Sequence, residues 1–171
     1  MRDETPAPED PRDATVGADV VTERQAQAPR VDFYVLDAAG AGAVERYACR
    51  LAEKAWRSGH AVWVHTESRA AARAVDEALW TFRDDSFVPH AVAGPDAYDT
   101  PIVIGDGRAP ATAPEVLINL GATVPDFAGS CGRIAEIVGA DQSSREAGRA
   151  RFRIYRDLGC EPAHHRIEGP R

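Results

Sequence analysis

The chain has 171 residues, of which 44% are hydrophobic and 27% charged, and its formal net charge is −7. This balance is typical of a soluble globular protein, and no apolar run reaches the roughly 18 residues of a membrane span. A net acidic protein does not adhere as a whole to nucleic acid, so any anion-binding role must come from a local patch.

Residues 1–30 are predicted to be a disordered acidic tail. They contain four prolines, no aromatic residue, and seven acidic residues against four arginines. Such a segment buries too little apolar surface to offset the entropy that it loses on ordering. No apolar segment of the signal-peptide type follows Met1-Arg2, so we expect a cytoplasmic protein without a membrane partner.

From Val31 onward, strands alternate with helices. The β-branched and aromatic residues of 31–36 predict a first strand, and Val44, Tyr47 and Leu51 lie on one face of a helix predicted over 43–58. The further predicted elements, in chain order, are a strand at 61–65, a helix at 68–80 capped by Ser68, strands at 101–104 and 115–120, and helices at 126–138 and 143–158.

This alternation predicts the fold class. Strands that alternate with helices pair in parallel through right-handed crossovers. We therefore expect one α/β domain over residues 31–159, with three α/β/α layers and a Rossmann-like, mainly parallel sheet. Residues 160–171 are polar and are predicted to form a loose C-terminal segment. The widely spaced Cys49, Cys131 and Cys160 indicate reduced thiols.

The sequence contains no recognisable catalytic or cofactor motif. Gly40 and Gly42 follow the first strand, but the third glycine of a dinucleotide-binding turn is missing. A P-loop is absent, and Lys54 is the only lysine. His60 and His65 are five positions apart, so along a strand they would lie about 17 Å apart and on opposite faces, too far to share a metal. We expect no catalytic activity, no cofactor and no metal.

The last predicted helix carries five arginines within residues 145–156. At about 100° per residue, one face of this helix contains four of them and one aromatic residue: Arg145, Arg149, Phe152, Arg153 and Arg156. The opposite face is predicted to pack on the sheet through its apolar residues: Ala147, Ala150, Ile154 and Leu158.

This basic face has two interpretations. Charge runs are usually solvated, in which case the arginines pair with Asp157 or with the acidic tail. Alternatively, the guanidinium groups bind carboxylates or phosphates. Phe152 then suits either an acidic peptide with a bulky apolar end or the stacked bases of a single-stranded nucleic acid. The net charge of −7 favours the peptide.

Several motifs, in their order along the chain, resemble the chi subunit of bacterial DNA polymerase III. They are Asp76-Glu-Ala-Leu-Trp80, Ser86-Phe-Val-Pro-His90, Val116-Leu-Ile-Asn119 and Arg149-x-Arg-Phe-Arg-x-Tyr-Arg156. The resemblance implies a non-catalytic adaptor in DNA replication, which contacts DNA mainly indirectly. Its implied partners are the psi subunit of the clamp loader, the acidic Phe-ended tail of single-stranded DNA-binding protein and, for some relatives, a helicase.

The resemblance implies two binding surfaces. The surface for the acidic tail falls on Arg145, Arg149, Phe152 and Arg153, with Arg156 adjacent. Position 152, often tyrosine in the family, is phenylalanine here, which loses a hydroxyl group but keeps the apolar contact.

The surface for psi or a helicase includes Trp80 and Phe87. Without the resemblance, both would be predicted as core residues, because aromatic residues between elements usually pack inward. Two alternative functions stay open at this point: a Rossmann-like nucleotide-binding enzyme of unknown reaction, and direct binding of single-stranded nucleic acid through the arginine face.

Overall fold

The computed structural model of the protein describes residues 28–37, 40–83, 87–95, 97 and 99–168. The strands are β1 (Arg30–Leu36), β2 (Val62–Thr66), β3 (His90–Val92), β4 (Ile102–Asp106), β5 (Val116–Asn119), β6 (Arg133–Val138) and β7 (Ala163–Ile167). The helices are α1 (Ala43–Arg57), α2 (Arg69–Thr81) and α3 (Gln142–Asp157), with a 3₁₀ turn at Ala128–Ser130.

The strands form one parallel sheet in the order β3-β4-β2-β5-β6-β1-β7. Helices α1 and α2 cover one face of the sheet, where Ala52 and Leu79 are core residues. Helix α3 covers the other face, where Tyr155 is buried against Phe33. The predicted three-layer, Rossmann-like α/β/α fold is confirmed. In the part of the chain that the structure describes, no helix is long and apolar enough to cross a membrane.

The helix ends follow the local sequence signals. The Ser68 hydroxyl oxygen accepts a hydrogen bond from the Ala71 N–H at 3.1 Å, so Ser68 caps α2 as predicted. Gly59 and Gly159 follow α1 and α3 with φ angles of 87° and 81°, a left-handed conformation that favours glycine after a helix.

The prediction of a helix over 126–138 is wrong, because this region contains the 3₁₀ turn and β6. Ile134, Ile137 and Val138 have the i, i+3, i+4 spacing of a helical face. However, β6 lies inside the sheet and all its residues after Arg133 are buried. A strand covered on both faces shows no alternation between apolar and polar residues.

Two short edge strands are absent from the sequence-based prediction. Residues 160–171 are not loose throughout, because Ala163–Ile167 form β7, which pairs in parallel with β1. His164 and Arg166 of β7 are exposed, so this strand lacks an apolar signature. β3 forms the opposite edge. The predicted acidic tail lies outside the described residues, except for its last three positions.

Candidate functional site

Helix α3 packs on the sheet through a different face from the predicted one. Its buried residues are Gly148, Arg151 and Tyr155. Ile154 and Leu158, which the apolar pattern predicts to be buried, are 44% and 64% exposed. The apolar side of the helix therefore faces outward, and a partly polar side faces the core.

A buried polar network holds α3 in this orientation. Arg151 Nε donates to Glu136 Oε2 at 2.6 Å, and the Tyr155 hydroxyl donates to Glu136 Oε1 at 2.7 Å. Asn119 Nδ2 donates to the same carboxylate at 3.0 Å, and Arg151 Nη1 donates to the Ala122 carbonyl at 3.1 Å. Burial, followed by the Glu136 carboxylate, raises the pKa of Tyr155, so its phenol remains a donor. These mutual bonds allow an arginine to occupy a core position.

Gly148 brings the α3 backbone close to the sheet. A Cβ atom at this position would lie only 2.8 Å from Val138 Cγ2. The close approach lets the half-buried Phe152 meet Phe33 of β1 edge to face, with ring centroids 5.2 Å apart at 62°. Phe152 is thus anchored to the sheet and does not project freely into solvent.

A groove runs beside α3 over the edge of the sheet formed by β1 and β7, with a volume of about 680 Å³. Its apolar lining from the sheet consists of Phe33, Val35 and Val138. Its lining from α3 includes Arg145, Arg149, Phe152 and Arg153, four of the five predicted tail-binding residues. His164 of β7 also lines the groove. An apolar surface and several guanidinium groups therefore meet in one concave site.

Arg145 is already engaged within the protein. Its Nη2 donates to the Leu36 carbonyl at 3.0 Å and lies 3.5 Å from Asp37 Oδ1. Arg166 of β7 is hydrogen-bonded to the other oxygen of Asp37, and this bond lowers the pKa of the Asp37 carboxyl despite its desolvation. Asp37 therefore ties α3 to β7 and neutralises part of the charge of Arg145.

The other three arginines of the predicted site are not neutralised by a described acidic residue. Arg149, Arg153 and Arg156 are exposed, and none of them forms an ion pair with any residue that the structure describes. Arg153 Nε donates to the Arg149 carbonyl at 3.3 Å. Arg156 does not line the groove. The predicted pairing of these arginines with Asp157 is therefore not observed.

Trp80 and Phe87 form an exposed aromatic patch at the end of α2. Trp80 is 56% exposed and Phe87 is 70% exposed, and their ring centroids lie 5.8 Å apart. Trp80 also contacts the His90 ring, at a centroid distance of 4.9 Å. The interpretation of both aromatics as core residues is wrong. Because α2 and α3 cover opposite faces of the sheet, the patch and the groove lie on opposite sides of the protein.

The cysteines do not form a reactive site. Burial raises the pKa of Cys49 to about 12 and that of Cys131 to about 11, so neither thiol ionises readily near neutral pH. Across the described ranges, no group of three or more His, Cys, Asp and Glu side chains is placed to hold a metal ion.

The sequence does not reveal that His164 lines the groove or that Asp37 holds Arg145. His164 reaches the groove only because β7 pairs with β1, and this pairing joins two ends of the chain. The sequence did offer one signal for Asp37. This residue directly follows the strand predicted over 31–36, and residues at the carboxyl ends of parallel strands often lie near binding sites.

Comparison with known proteins identifies relatives that match most of the chain. The profile of the family described as "DNA polymerase III chi subunit, HolC" matches residues 28–163. The "DNA polymerase III subunit chi" of Pseudomonas aeruginosa is 41% identical over 138 residues, which cover 81% of this chain and 96% of the relative. The proteins of the same name from Haemophilus influenzae and Escherichia coli are 37% and 33% identical, over 77% and 74% of this chain and 93% and 90% of the relatives.

Among solved structures, "The crystal structure of T4 UvsW" matches with a TM-score of 0.59 over 81% of this chain and 41% of that chain. The sequence identity is 7%, so this likeness concerns the fold alone. The sequence matches, in contrast, extend over nearly the full length of three relatives with one name. The chain therefore belongs to the chi subunit family of DNA polymerase III, and it is an accessory subunit of the replication machinery rather than a catalytic one.

Proposed function

We propose that this protein is an adaptor that links the clamp loader, through the psi subunit, to the acidic C-terminal tail of single-stranded DNA-binding protein. The observation that carries the proposal is the groove beside α3. It combines an apolar floor with two arginines, Arg149 and Arg153, that form no ion pair with any described residue.

The chemistry of the groove suits a peptide with carboxylates next to a terminal phenylalanine. The phenyl ring packs on Phe33 and Val35, and burial of such a side chain contributes roughly 1.5–3 kcal/mol. Carboxylates of the peptide accept hydrogen bonds from Arg149 and Arg153, whose guanidinium groups match them bidentately. After the cost of association, we expect a Kd in the micromolar range, or about −8 kcal/mol.

The position of Phe152 favours a peptide over single-stranded nucleic acid. A stacking platform for bases needs an aromatic ring with an open face. Phe152 is half-buried and is held edge to face against Phe33, so it serves better as part of an apolar wall. The net charge of −7 also opposes approach of a polyanion as a whole.

The aromatic patch of Trp80 and Phe87 is the proposed site for psi or a helicase. Contiguous exposed aromatic side chains are typical of protein-binding surfaces. The patch lies on the α2 side of the sheet and the groove on the α3 side, so both partners can bind at once. This arrangement is what an adaptor between two proteins requires.

The test is a calorimetric titration of the full chain with an acidic peptide that ends in Phe. We expect micromolar binding that weakens as salt screens the charges. Arg149→Ala should weaken it by about 1–3 kcal/mol, as for hydrogen bonds to charged groups. The matched control is Arg50→Ala, which removes an exposed arginine from α1. Equal affinities of the two variants, or tighter binding of an oligonucleotide than of the peptide, would refute the proposal.

A further inference from the structure

The groove beside α3 has a second potential occupant within the same chain. Residues 1–27 precede the region matched by the family profile, which begins at residue 28. They contain seven acidic residues and three arginines, so they are complementary in charge to the arginine face of α3. We propose that the sequence Asp19-Val20-Val21 binds in this groove and competes there with an acidic partner peptide.

The composition of the segment singles out these three residues. Val20 and Val21 are the only adjacent pair of branched apolar residues within 1–27, and an acid directly precedes them. The two valines suit the apolar floor around Phe33 and Val35, and Asp19 suits the unpaired guanidinium of Arg149. The segment thereby offers the same two chemical features as the peptide of the proposed function.

The attachment of the segment to β1 makes this contact geometrically accessible. β1 starts at Arg30 and itself supplies part of the groove floor at Phe33 and Val35. Val35 lies about 17 Å along the strand from Arg30. The eight residues 22–29, when extended, span up to about 26 Å. The chain can therefore turn back at the start of β1 and place Asp19–Val21 over the groove.

Covalent attachment makes even a weak contact effective. Attachment through a short linker holds a segment at an effective concentration on the order of 1 mM. A segment that binds with a Kd of about 0.1 mM would therefore lower the apparent affinity for a competing peptide about tenfold. The contact is largely electrostatic, so this difference should shrink as the Debye length falls to about 3 Å at 1 M salt.

The first experiment compares the affinity of full-length variants for the acidic Phe-ended peptide at low salt. The test variant carries Asp19→Asn, Val20→Ser and Val21→Ser. The control carries Asp13→Asn, Ala14→Ser and Val16→Ser, which remove the same charge and the apolar side chains of a nearby stretch. We expect the test variant to bind the peptide about tenfold more tightly than the wild type, and the control to bind like the wild type. Equal affinities of wild type and test variant, or equal gains in both variants, would overturn the inference.

The first experiment uses the acidic Phe-ended peptide and therefore rests on the proposed function. A second readout tests the inference without that peptide. The amide NMR signals of Phe33, Val35 and residues 148–153 are compared between the wild type and the test variant, without any partner. We expect these signals to differ, and to differ less when both proteins also carry Arg149→Ala. Unchanged signals would overturn the inference even if the peptide binds. Failure of the peptide to bind any form would refute the proposed function while leaving this readout intact.

Discussion

Arg151 of α3 and Glu136 of β6 form an ion pair inside the protein, with Nε 2.6 Å from Oε2 and both side chains almost inaccessible to solvent. This pair, and not an apolar stripe, sets the rotation of α3 on the sheet. The same rotation directs Arg149 and Arg153 to the groove. The stability of the core and the geometry of the candidate binding surface therefore both depend on this buried contact.

Replacement of Arg151 by Met should strongly destabilise the protein. It leaves the Glu136 carboxylate in the core without its counter-charge, and breaking one partner of a buried pair costs about 3–5 kcal/mol. The measurement is the free energy of unfolding by urea at neutral pH. Arg153→Met, at an exposed position of the same helix, is the control and should change it by less than about 0.5 kcal/mol. Similar losses in the two variants would contradict this role of the pair.

This ion pair also shows where the sequence stops being informative. The helix itself, its arginines and its C-terminal Gly159 follow from local pattern. Its buried face does not, because Arg151 looks like a surface residue until Glu136 is known to lie opposite it. The misassignment of β6 as a helix hid that partner, since the position of Glu136 within a buried strand depends on neighbours on both sides.

The residues of the candidate site could be predicted from the sequence only in part. Arg149 and Phe152 are recognised from one continuous motif. The floor of the groove depends on β1, β6 and β7, which come together only through pairing of distant segments. Trp80 is exposed because α2 packs through the face that carries Val75 and Leu79, whereas aromatic residue type alone favours the core.

Replacement of Gly148 by Ala should destabilise the protein, although alanine favours helices. The added Cβ would lie 2.8 Å and 3.1 Å from the two methyl carbons of Val138, and a valine side chain has little freedom to move away. Such overpacking costs about 1–3 kcal/mol, and the shift of α3 should also weaken peptide binding. Urea unfolding and peptide titration measure the two effects. The control, Ser143→Ala at an exposed position of α3, should leave peptide affinity unchanged. A Gly148→Ala protein as stable as the wild type would show that α3 is not in close contact with β6.

Replacement of Trp80 by Ala should separate binding from folding. Trp80 is 56% exposed, whereas its neighbour Leu79 is 1% exposed. Leu79→Ala should therefore cost about 2–5 kcal/mol of unfolding free energy, while Trp80→Ala should cost much less but remove binding of psi. Thermal unfolding and co-purification with psi give the two readouts. Retention of psi by Trp80→Ala and Phe87→Ala variants would exclude the aromatic patch as its site.

Asp32 should contribute to the loss of folding stability at acidic pH. It is buried, and burial alone raises the pKa of its carboxyl, but the hydrogen bond from His165 at 2.8 Å and the charges of Arg133 and Arg30 lower it further than burial raises it. A carboxyl whose pKa is lower in the folded than in the unfolded state stabilises the fold above about pH 4, and this stability is lost as pH falls through the folded-state pKa.

The measurement for Asp32 is the urea midpoint as a function of pH, for the wild type and Asp32→Asn. The wild type should lose stability more steeply below about pH 4. At position 32, aspartate takes up a proton on unfolding in this pH range, whereas asparagine does not. The asparagine variant should also show faster amide exchange in β7, since His165 loses its charged partner. If the urea midpoints of the two proteins fell equally with pH below about pH 4, the lowered pKa of Asp32 would be contradicted.

The most direct test of the adaptor account is the location of the bound peptide on the isotope-labelled protein. An acidic peptide that ends in Phe should shift the amide NMR signals of Phe33, Val35 and residues 148–153, and the same peptide ending in Ala should shift them far less. The signals of Trp80 and Phe87 should stay unchanged. Shifts centred on Trp80 and Phe87, or equal shifts with both peptides, would contradict the account.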